Sequence, residues 1–244
     1  NMSPGLILQM LEYPENPQKK IEIYGSEPYI NGGHGMAGFW IDINRRTTLP
    51  GLYAAGDTAG GAPKKYITGC FAEAETAVDH FLSDLPDMPA VQETDTEDLF
   101  IPLYRKDGLS YTDAEQRLQK IMDEYAGGYT MRYGTNREKL EIAREMLRSL
   151  DRKSRDMSAA DLHELTRIHE VRDRILLARV LVEHMLARKE TRWPAYQTRL
   201  DYPVRNDVEY KFFINSRLSG DRIEIFFREL VPPYPRQDIR NAED

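Results

Sequence analysis

Residues 46–57 of the chain are RTTLPGLYAAGD, in which a short apolar run follows turn residues and ends in Gly56 and Asp57. An apolar run of this length, bounded by turn residues, is typical of a buried parallel strand in an α/β sheet. Ligands of such sheets collect at the carboxyl ends of the strands. Gly56 would let a ligand approach the backbone, and Asp57 could accept hydrogen bonds from sugar-like hydroxyls. An ordinary Gly-Asp turn without a ligand is the alternative interpretation.

Composition narrows the class of protein. The 244 residues suffice for one large domain or two small ones, and the formal charge is −7. Because basic and acidic residues are mixed along the chain, we expect no nucleic-acid partner. The single cysteine, Cys70, excludes an internal disulfide and an iron–sulfur cluster held by four cysteines of this chain. No apolar run approaches the roughly 20 residues of a membrane span, so we expect a cytoplasmic protein without membrane insertion.

The order of patterns predicts an α/β segment followed by a helical part. Short strand and turn signals precede a helix that begins near Thr68, and a proline- and acid-rich stretch then marks a linker. The fold class is therefore α/β plus α, with a three-helix bundle and a terminal β-hairpin. The predicted units are residues 1–85 (α/β), 86–108 (linker), 109–190 (bundle) and 191–244 (a C-terminal docking segment with the hairpin).

Helix starts and an apolar stripe define the bundle. Capping pairs of the type Ser/Thr with an acid three residues later are expected to begin the three helices, since they satisfy the free amides of a first turn. Apolar residues then recur at steps of three and four in the third helix. The capping pairs are Thr112–Glu115, Thr135–Glu138 and Ser158–Asp161; the stripe is Ile168, Val171, Ile175, Ala178, Val182 and Met185; the hairpin arms are residues 210–214 and 222–227.

Residues 33–38, GHGMAG, match the dinucleotide motif GxGxxG, yet the match is weak. That motif works when a strand precedes it and a helix follows, so that the helix N-terminus faces the pyrophosphate. Here the strand-like residues 39–43 follow, and no other segment supplies the fingerprint. Either the ligand interpretation is wrong, or the chain is the C-terminal portion of a longer protein. The first residue, Asn1, favours the second alternative.

Several longer stretches resemble the flavoprotein alpha subunits of adenylylsulfate reductases. These proteins fall within a wider group that includes the flavoproteins of fumarate reductase, succinate dehydrogenase and L-aspartate oxidase. The similarity runs from near Pro28 to near Asp207 and so covers most of the chain. The matching stretches are residues 27–40, 52–60, 118–126, 161–165, 188–194 and 201–203, with Tyr196 and Arg199.

The resemblance implies an FAD cofactor and a set of residues around it. It makes residues 1–85 the C-terminal part of an FAD-binding domain, with Asp57 on the ribityl chain. The helix at residues 68–71 would face the flavin pyrimidine ring, where a positive dipole end favours the anionic reduced flavin. Thr68 as a plain helix cap is the alternative. The implied cofactor-binding residues are Gly56, Asp57, Thr68, Gly69, Cys70 and Phe71.

His34 is the implied catalytic residue, beside the flavin, where its proton or charge meets a small anionic substrate. A loop histidine bonded to a neighbouring carbonyl is the alternative. Lys64 and Lys65 are expected in a solvated loop, although they could contact a phosphate. We expect the Arg-rich residues 188–199 to dock the bundle on the flavin segment through charged pairs around Trp193. The remaining histidines, expected in helices as structural or solvent-facing groups without metal spacing, are His80, His163, His169 and His184.

The resemblance implies three alternative functions. In the first, the reduced flavin attacks the sulfur of adenylylsulfate through N5 and releases AMP and sulfite, with electrons from an iron–sulfur subunit. In the second, hydride passes between flavin and a dicarboxylate, as in fumarate reductase. Compared with adenylylsulfate reductases, the turn at residues 34–39 is one residue shorter, and the link from Trp40 to Thr47 is much shorter. Because both lie near the expected substrate pocket, the resemblance does not decide which substrate is used. In the third, the chain alone is a non-catalytic module that docks a partner subunit and holds no flavin.

Overall fold

The computed structural model of the chain describes residues 37–61, 66–85, 96–192 and 197–230. Within these ranges the helices are α1 (Tyr66–Asp84), α2 (Tyr111–Tyr125), α3 (Arg137–Ser154), α4 (Leu162–Ala187) and the short α5 (Asp207–Tyr210). Strands β1 (Gly134–Thr135) and β2 (Thr198–Arg199) pair in parallel, and β3 (Phe212–Ser219) and β4 (Arg222–Glu229) form an antiparallel hairpin. Short 3-10 helices cover Gly56–Thr58, Glu97–Tyr104 and Tyr129–Met131. None of the helices in the described ranges has the length and hydrophobicity that crossing a membrane requires.

The α/β segment is held by local pairing. The Pro50–Gly51 turn reverses the chain, so that Tyr53 bridges Arg46 in antiparallel fashion. The backbone N–H of Thr47 donates to Leu52 O at 2.9 Å, and this bond closes the reversal. The prediction of a buried parallel strand before Gly56 is therefore wrong for the described residues. The physical reason is that a proline-glycine turn lets residues 52–54 bond to the residues just before them.

The bundle has the core that the apolar stripe predicts. All six stripe residues of α4 are buried, and α2 and α3 pack against them, so the three predicted helices are confirmed. With the hairpin β3–β4, this confirms the predicted fold class, an α/β segment followed by a helical bundle and a terminal β-hairpin. The core residues contributed by α2 and α3 are Ala114, Leu118, Ile121, Leu140, Ala143, Leu147 and Leu150.

The helix starts differ from the predicted capping pairs. Thr112 lies inside α2, Thr135 is a buried strand residue whose hydroxyl donates to Tyr125 O at 2.6 Å, and Ser158 precedes α4 by four residues. A cap must stand immediately before the first helical residue with extended backbone, and each predicted start has a better-placed neighbour. The caps are Ser110, Asn136 and Asp161, which accept from the backbone N–H of Asp113, Lys139 and Glu164 respectively.

Part of the predicted linker packs on the bundle. Residues 97–104 form a 3-10 helix in which Pro102 is buried. The backbone N–H of Ala159, at the approach to α4, donates to Pro102 O at 2.9 Å. The ring of His169 bonds Leu99 O at 3.0 Å. Residues 97–104 of the predicted linker are therefore attached to the bundle.

The hairpin contacts both the bundle and the α/β segment. His184 of α4 bonds the hydroxyl of Ser216 in β3 at 2.9 Å. On its other side, the Arg228 guanidinium of β4 lies 3.6 Å from the centre of the Trp40 ring, close enough for a cation–π contact. The hairpin thus contacts both α4 and, at Trp40, the α/β segment.

A candidate cofactor-binding turn

Gly56 and Asp57 form a tight turn with an outward-facing carboxylate. Gly56 is buried and has φ of +67°, a left-handed conformation that favours glycine. The Thr58 hydroxyl donates to Ala55 O at 3.0 Å and keeps the turn closed. The Asp57 side chain is exposed, and none of the described residues bonds it. The turn therefore offers an acceptor to a ligand.

The first turns of α1 pack against this turn. A Cβ placed on Gly56 would lie 3.1 Å from Cys70 Sγ, so the two residues are in contact. Thr68 is exposed, and Phe71 is 70% exposed. With Gly69 they share the beginning of α1, where the free N–H groups carry partial positive charge and the first turn holds no acidic residue. The structure thus brings the predicted cofactor residues of the two segments together.

Glu73 is a residue of this region that the sequence did not single out. Its carboxylate Oε2 accepts the backbone N–H of Gly56 at 2.8 Å, and Oε1 lies 3.8 Å from Arg45 Nε. The side chain is 12% exposed. Its position three residues after Cys70, on the same helix face, is the signal that could have indicated it.

Gly38 brings the segment after the GxGxxG match to the same place. The backbone N–H of Phe39 donates to Thr58 O at 2.7 Å, and that of Gly60 donates to Phe39 O at 2.9 Å. A Cβ on Gly38 would lie 2.5 Å from Gly60 N, so the two backbones approach as only glycine allows. Phe39 forms a bridge with Ala59 and starts no helix. This agrees with the expectation that no helix follows the GxGxxG match. His34, Lys64 and Lys65 lie outside the described residues.

A carboxylate fixes the end of α1. Asp84 accepts two bonds from the Arg46 guanidinium, at 2.5 and 2.6 Å, and a third from the Tyr53 hydroxyl. The bonds from Arg46, and then that from Tyr53, lower the pKa of Asp84 to about 2. Asp84 therefore stays ionised at neutral pH and holds α1 to the reversal at residues 46–53.

The Arg-rich segment after α4 is pinned internally. The side chain of Glu190 is fully buried and binds the guanidinium groups of Arg188 at 2.6 Å and Arg192 at 2.7 Å. Burial raises the pKa of Glu190, but the bonds from Arg192, the Asn206 backbone and Arg188 outweigh it, and the pKa is lowered. Arg199, 4% exposed, pairs with Asp201 at 2.8 Å.

These pairs differ from the expected docking on the flavin segment. Among the described residues, the ion-pair partners of Arg188, Arg192 and Arg199 lie within residues 190–207, and the hairpin contacts the α/β segment at Trp40 through Arg228. Trp193 lies outside the described residues.

The four other histidines lie in helices, as predicted. Burial, and then the charge of Arg188, lower the pKa of His184, so it is neutral at pH 7 beside Ser216. No group of three or more potential metal ligands forms within the described ranges.

The sequence of the bundle and of the segment after it matches a known protein family. The sequence profile described as "Fumarate reductase flavoprotein C-term" matches residues 115–232. These residues are therefore similar to the C-terminal part of this flavoprotein family. The match agrees with the fold, since it spans the bundle and the hairpin that the structure describes.

Relatives of the flavoprotein family extend the match. The alpha subunit of adenylylsulfate reductase from Megalodesulfovibrio gigas is 28% identical and aligns with 83% of this chain and 37% of its own length. A fumarate reductase flavoprotein subunit from Mycobacterium tuberculosis is 29% identical over 78% of this chain and 35% of its own. The resemblance to the adenylylsulfate reductase alpha subunit within the fumarate reductase group is thereby confirmed.

The fold agrees with a solved relative. An adenosine-5-phosphosulfate reductase in covalent adduct with sulfite superposes with a TM-score of 0.70 and 35% identity, over 77% of this chain and 33% of that one. The chain thus spans about a third of the length of these relatives.

Proposed function

We propose that the chain is part of a cytoplasmic, FAD-dependent oxidoreductase that reduces adenylylsulfate. The substrate takes up two electrons, its sulfur–oxygen bond to the phosphate breaks, and AMP and sulfite leave. We propose that an iron–sulfur subunit supplies the electrons; with Cys70 as their single cysteine, these 244 residues cannot themselves provide the four thiolates of such a cluster. The observation that carries the proposal is the contact of the Gly56–Asp57 turn with the start of α1. It is supported by 35% identity to a reductase with bound sulfite.

The described residues fit part of an FAD site. Bound FAD would supply the two-electron chemistry that no side chain can. Asp57 would accept hydrogen bonds from ribityl hydroxyls, and the missing side chain of Gly56 lets the turn lie close against Cys70 of α1. The free N–H groups in the first turn of α1, which includes Thr68 and Gly69, would favour the anionic reduced ring.

His34 is the proposed catalytic residue. Four residues on, Gly38 lies against the backbone at Gly60, and Phe39 bonds Thr58, which adjoins Asp57. Four residues of chain span at most about 14 Å, so an imidazole at position 34 can reach a ligand held by this turn. We propose that it holds a proton close to the anionic substrate.

A dicarboxylate is the second candidate substrate. The link from Trp40 to Thr47 closes as a tight turn, in which the Asp42 carboxylate accepts the backbone N–H of Asn44 at 2.8 Å and of Arg46 at 2.9 Å. This compact link and the relation to a fumarate reductase subunit favour hydride exchange with fumarate or succinate.

Turnover separates the two candidates. The complete protein, as its gene encodes it, would be assayed with its electron-transfer partner on AMP plus sulfite, and in parallel on fumarate and succinate. We expect activity with AMP plus sulfite, and a loss of at least about 100-fold in kcat for His34→Gln. Turnover of fumarate or succinate alone would contradict the first proposal and establish the second.

The 244-residue chain alone is expected to hold no FAD, because its sequence contains no convincing phosphate-binding turn. On its own it would then be a docking module. The test is the absorbance of the purified chain between 350 and 500 nm, about the range where flavins absorb. A stoichiometric flavin band would contradict this expectation.

A further inference from the structure

Glu73 occupies the junction between α1 and two backbone turns. Its carboxylate accepts the N–H of the buried Gly56 at 2.8 Å, and its other oxygen faces Arg45 at 3.8 Å. Arg45 in turn has φ of +68°, and its carbonyl accepts the N–H of Ala54 at 3.0 Å. A single side chain of α1 therefore lies between the reversal at residues 45–54 and the turn that carries Asp57.

The bond from Gly56 to Glu73 holds the backbone of the residue that precedes Asp57. The N–H of the buried Gly56 requires an acceptor, and Glu73 supplies one. A bond from a backbone N–H to an ionised carboxylate is stronger than one to a neutral group. On the same face of α1, Cys70 touches Gly56, so the turn is located by packing and by a hydrogen bond together.

We infer that Glu73 is a positioning residue for the cofactor: it holds the Gly56 turn so that Asp57 presents its carboxylate to the ribityl chain. This inference rests on the proposed function, since it presumes that Asp57 binds FAD. Glu73 itself touches the turn and not the ligand.

The matched control is on the same helix. Glu75 has the same side chain, lies two residues further along α1 and is exposed. Glu73→Gln keeps an oxygen that can accept the Gly56 N–H, whereas Glu73→Ala removes it. The three variants, Glu73→Ala, Glu73→Gln and Glu75→Ala, would be made in the complete protein and checked for folding by circular dichroism.

Two measurements test the inference: the dissociation constant of FAD, and the exchange rate of the Gly56 amide in the FAD-free protein. For Glu73→Ala we expect the dissociation constant to rise about tenfold and Gly56 exchange to quicken by at least about tenfold. Glu73→Gln should recover most of both, and Glu75→Ala should match the wild type.

The outcomes separate this inference from the proposal beneath it. If the wild-type complete protein binds no FAD, the proposed function fails and the inference falls with it. If the wild type binds FAD and Glu73→Ala binds it equally well, the inference alone is overturned. An affinity loss with unchanged Gly56 exchange also overturns it, because Glu73 would then act elsewhere.

Discussion

The bundle and the α/β segment are stabilised by different means. In the bundle, large side chains such as Leu147, Ile168 and Ile175 are fully buried. In residues 37–85, the buried hydrophobic residues among those described are the small Ala54, Ala59 and Ala77. Apolar side chains of α1 instead face outward there: Ile67 and Phe71 are about 70% exposed, and Val78 and Leu82 are more than half exposed.

This difference in burial shows which interactions stabilise each region. Burial of apolar area contributes roughly 25 cal/mol per Å², so the bundle can be held by its core. The α/β segment is held by polar contacts instead, chiefly Arg46 and Tyr53 on Asp84 and Glu73 on Gly56. Its exposed apolar face marks a surface that is normally covered in a stable domain.

The largest effect on the free energy of unfolding is expected in the Arg-rich segment, residues 188–199, which follows the bundle. Glu190→Ala leaves Arg188 and Arg192 without their buried partner and should lower the free energy of unfolding by about 3 to 5 kcal/mol. Urea unfolding of the chain measures it. Glu124→Ala, on the exposed face of α2, should change it by less than about 0.5 kcal/mol. Equal effects would show that the Glu190 pairs contribute no stability.

Core truncation sharpens the contrast directly. Ile168→Ala creates a cavity among fully buried residues and should cost about 2 to 4 kcal/mol of unfolding free energy. Val78→Ala, on the exposed face of α1, should cost at most about 0.5 kcal/mol. The same urea titration compares the two. A Val78 effect as large as that of Ile168 would break the distinction between the regions.

The helix cap of α4 gives a smaller effect. Asp161→Ala removes the acceptor for the Glu164 N–H and should cost about 1 kcal/mol by thermal or urea unfolding. Ser158→Ala, the start that the capping pattern indicates, should cost less than about 0.5 kcal/mol. If the two losses are reversed, the sequence pattern and not the observed cap describes the helix start.

The smallest effect concerns the pH dependence of the α/β segment. Because the pKa of Asp84 is lowered to about 2, its contribution is complete above the unfolded value near 4 and is lost as pH falls from about 4 to about 2. The carboxyl resonance of Asp84 should titrate near pH 2, and amide exchange in α1 should quicken across this window. Asp84→Asn should remove the pH dependence. An Asp84 midpoint near 4 would contradict the observed contact with Arg46.

The sequence predicts periodic features better than it predicts contacts between distant residues. Steps of three and four placed the whole stripe from Ile168 to Met185, because helical spacing and burial follow from the same geometry. The caps were missed because Ser, Thr, Asn and Asp occur close together before each helix. The local reversal at Pro50–Gly51 was missed because an apolar run fits a parallel strand and a hairpin arm equally well.

In the candidate site, the two predicted segments meet at Gly56 and Cys70. The sequence did not predict Glu73, because its partner is a backbone N–H and such a bond leaves no side-chain pattern. It did not predict the Arg46–Asp84 pair either, because the two residues are 38 positions apart. The roles of His34 and of the cofactor residues stay predictions.

The flavin content of the complete protein reports directly on the proposed role of Asp57 in binding FAD. Asp57→Ala would be compared with Asp79→Ala, an exposed acid of α1, by absorbance of FAD per purified chain. We expect one FAD per chain in the wild type and in Asp79→Ala, with most of it lost in Asp57→Ala. Full occupancy and unchanged affinity in Asp57→Ala would contradict it.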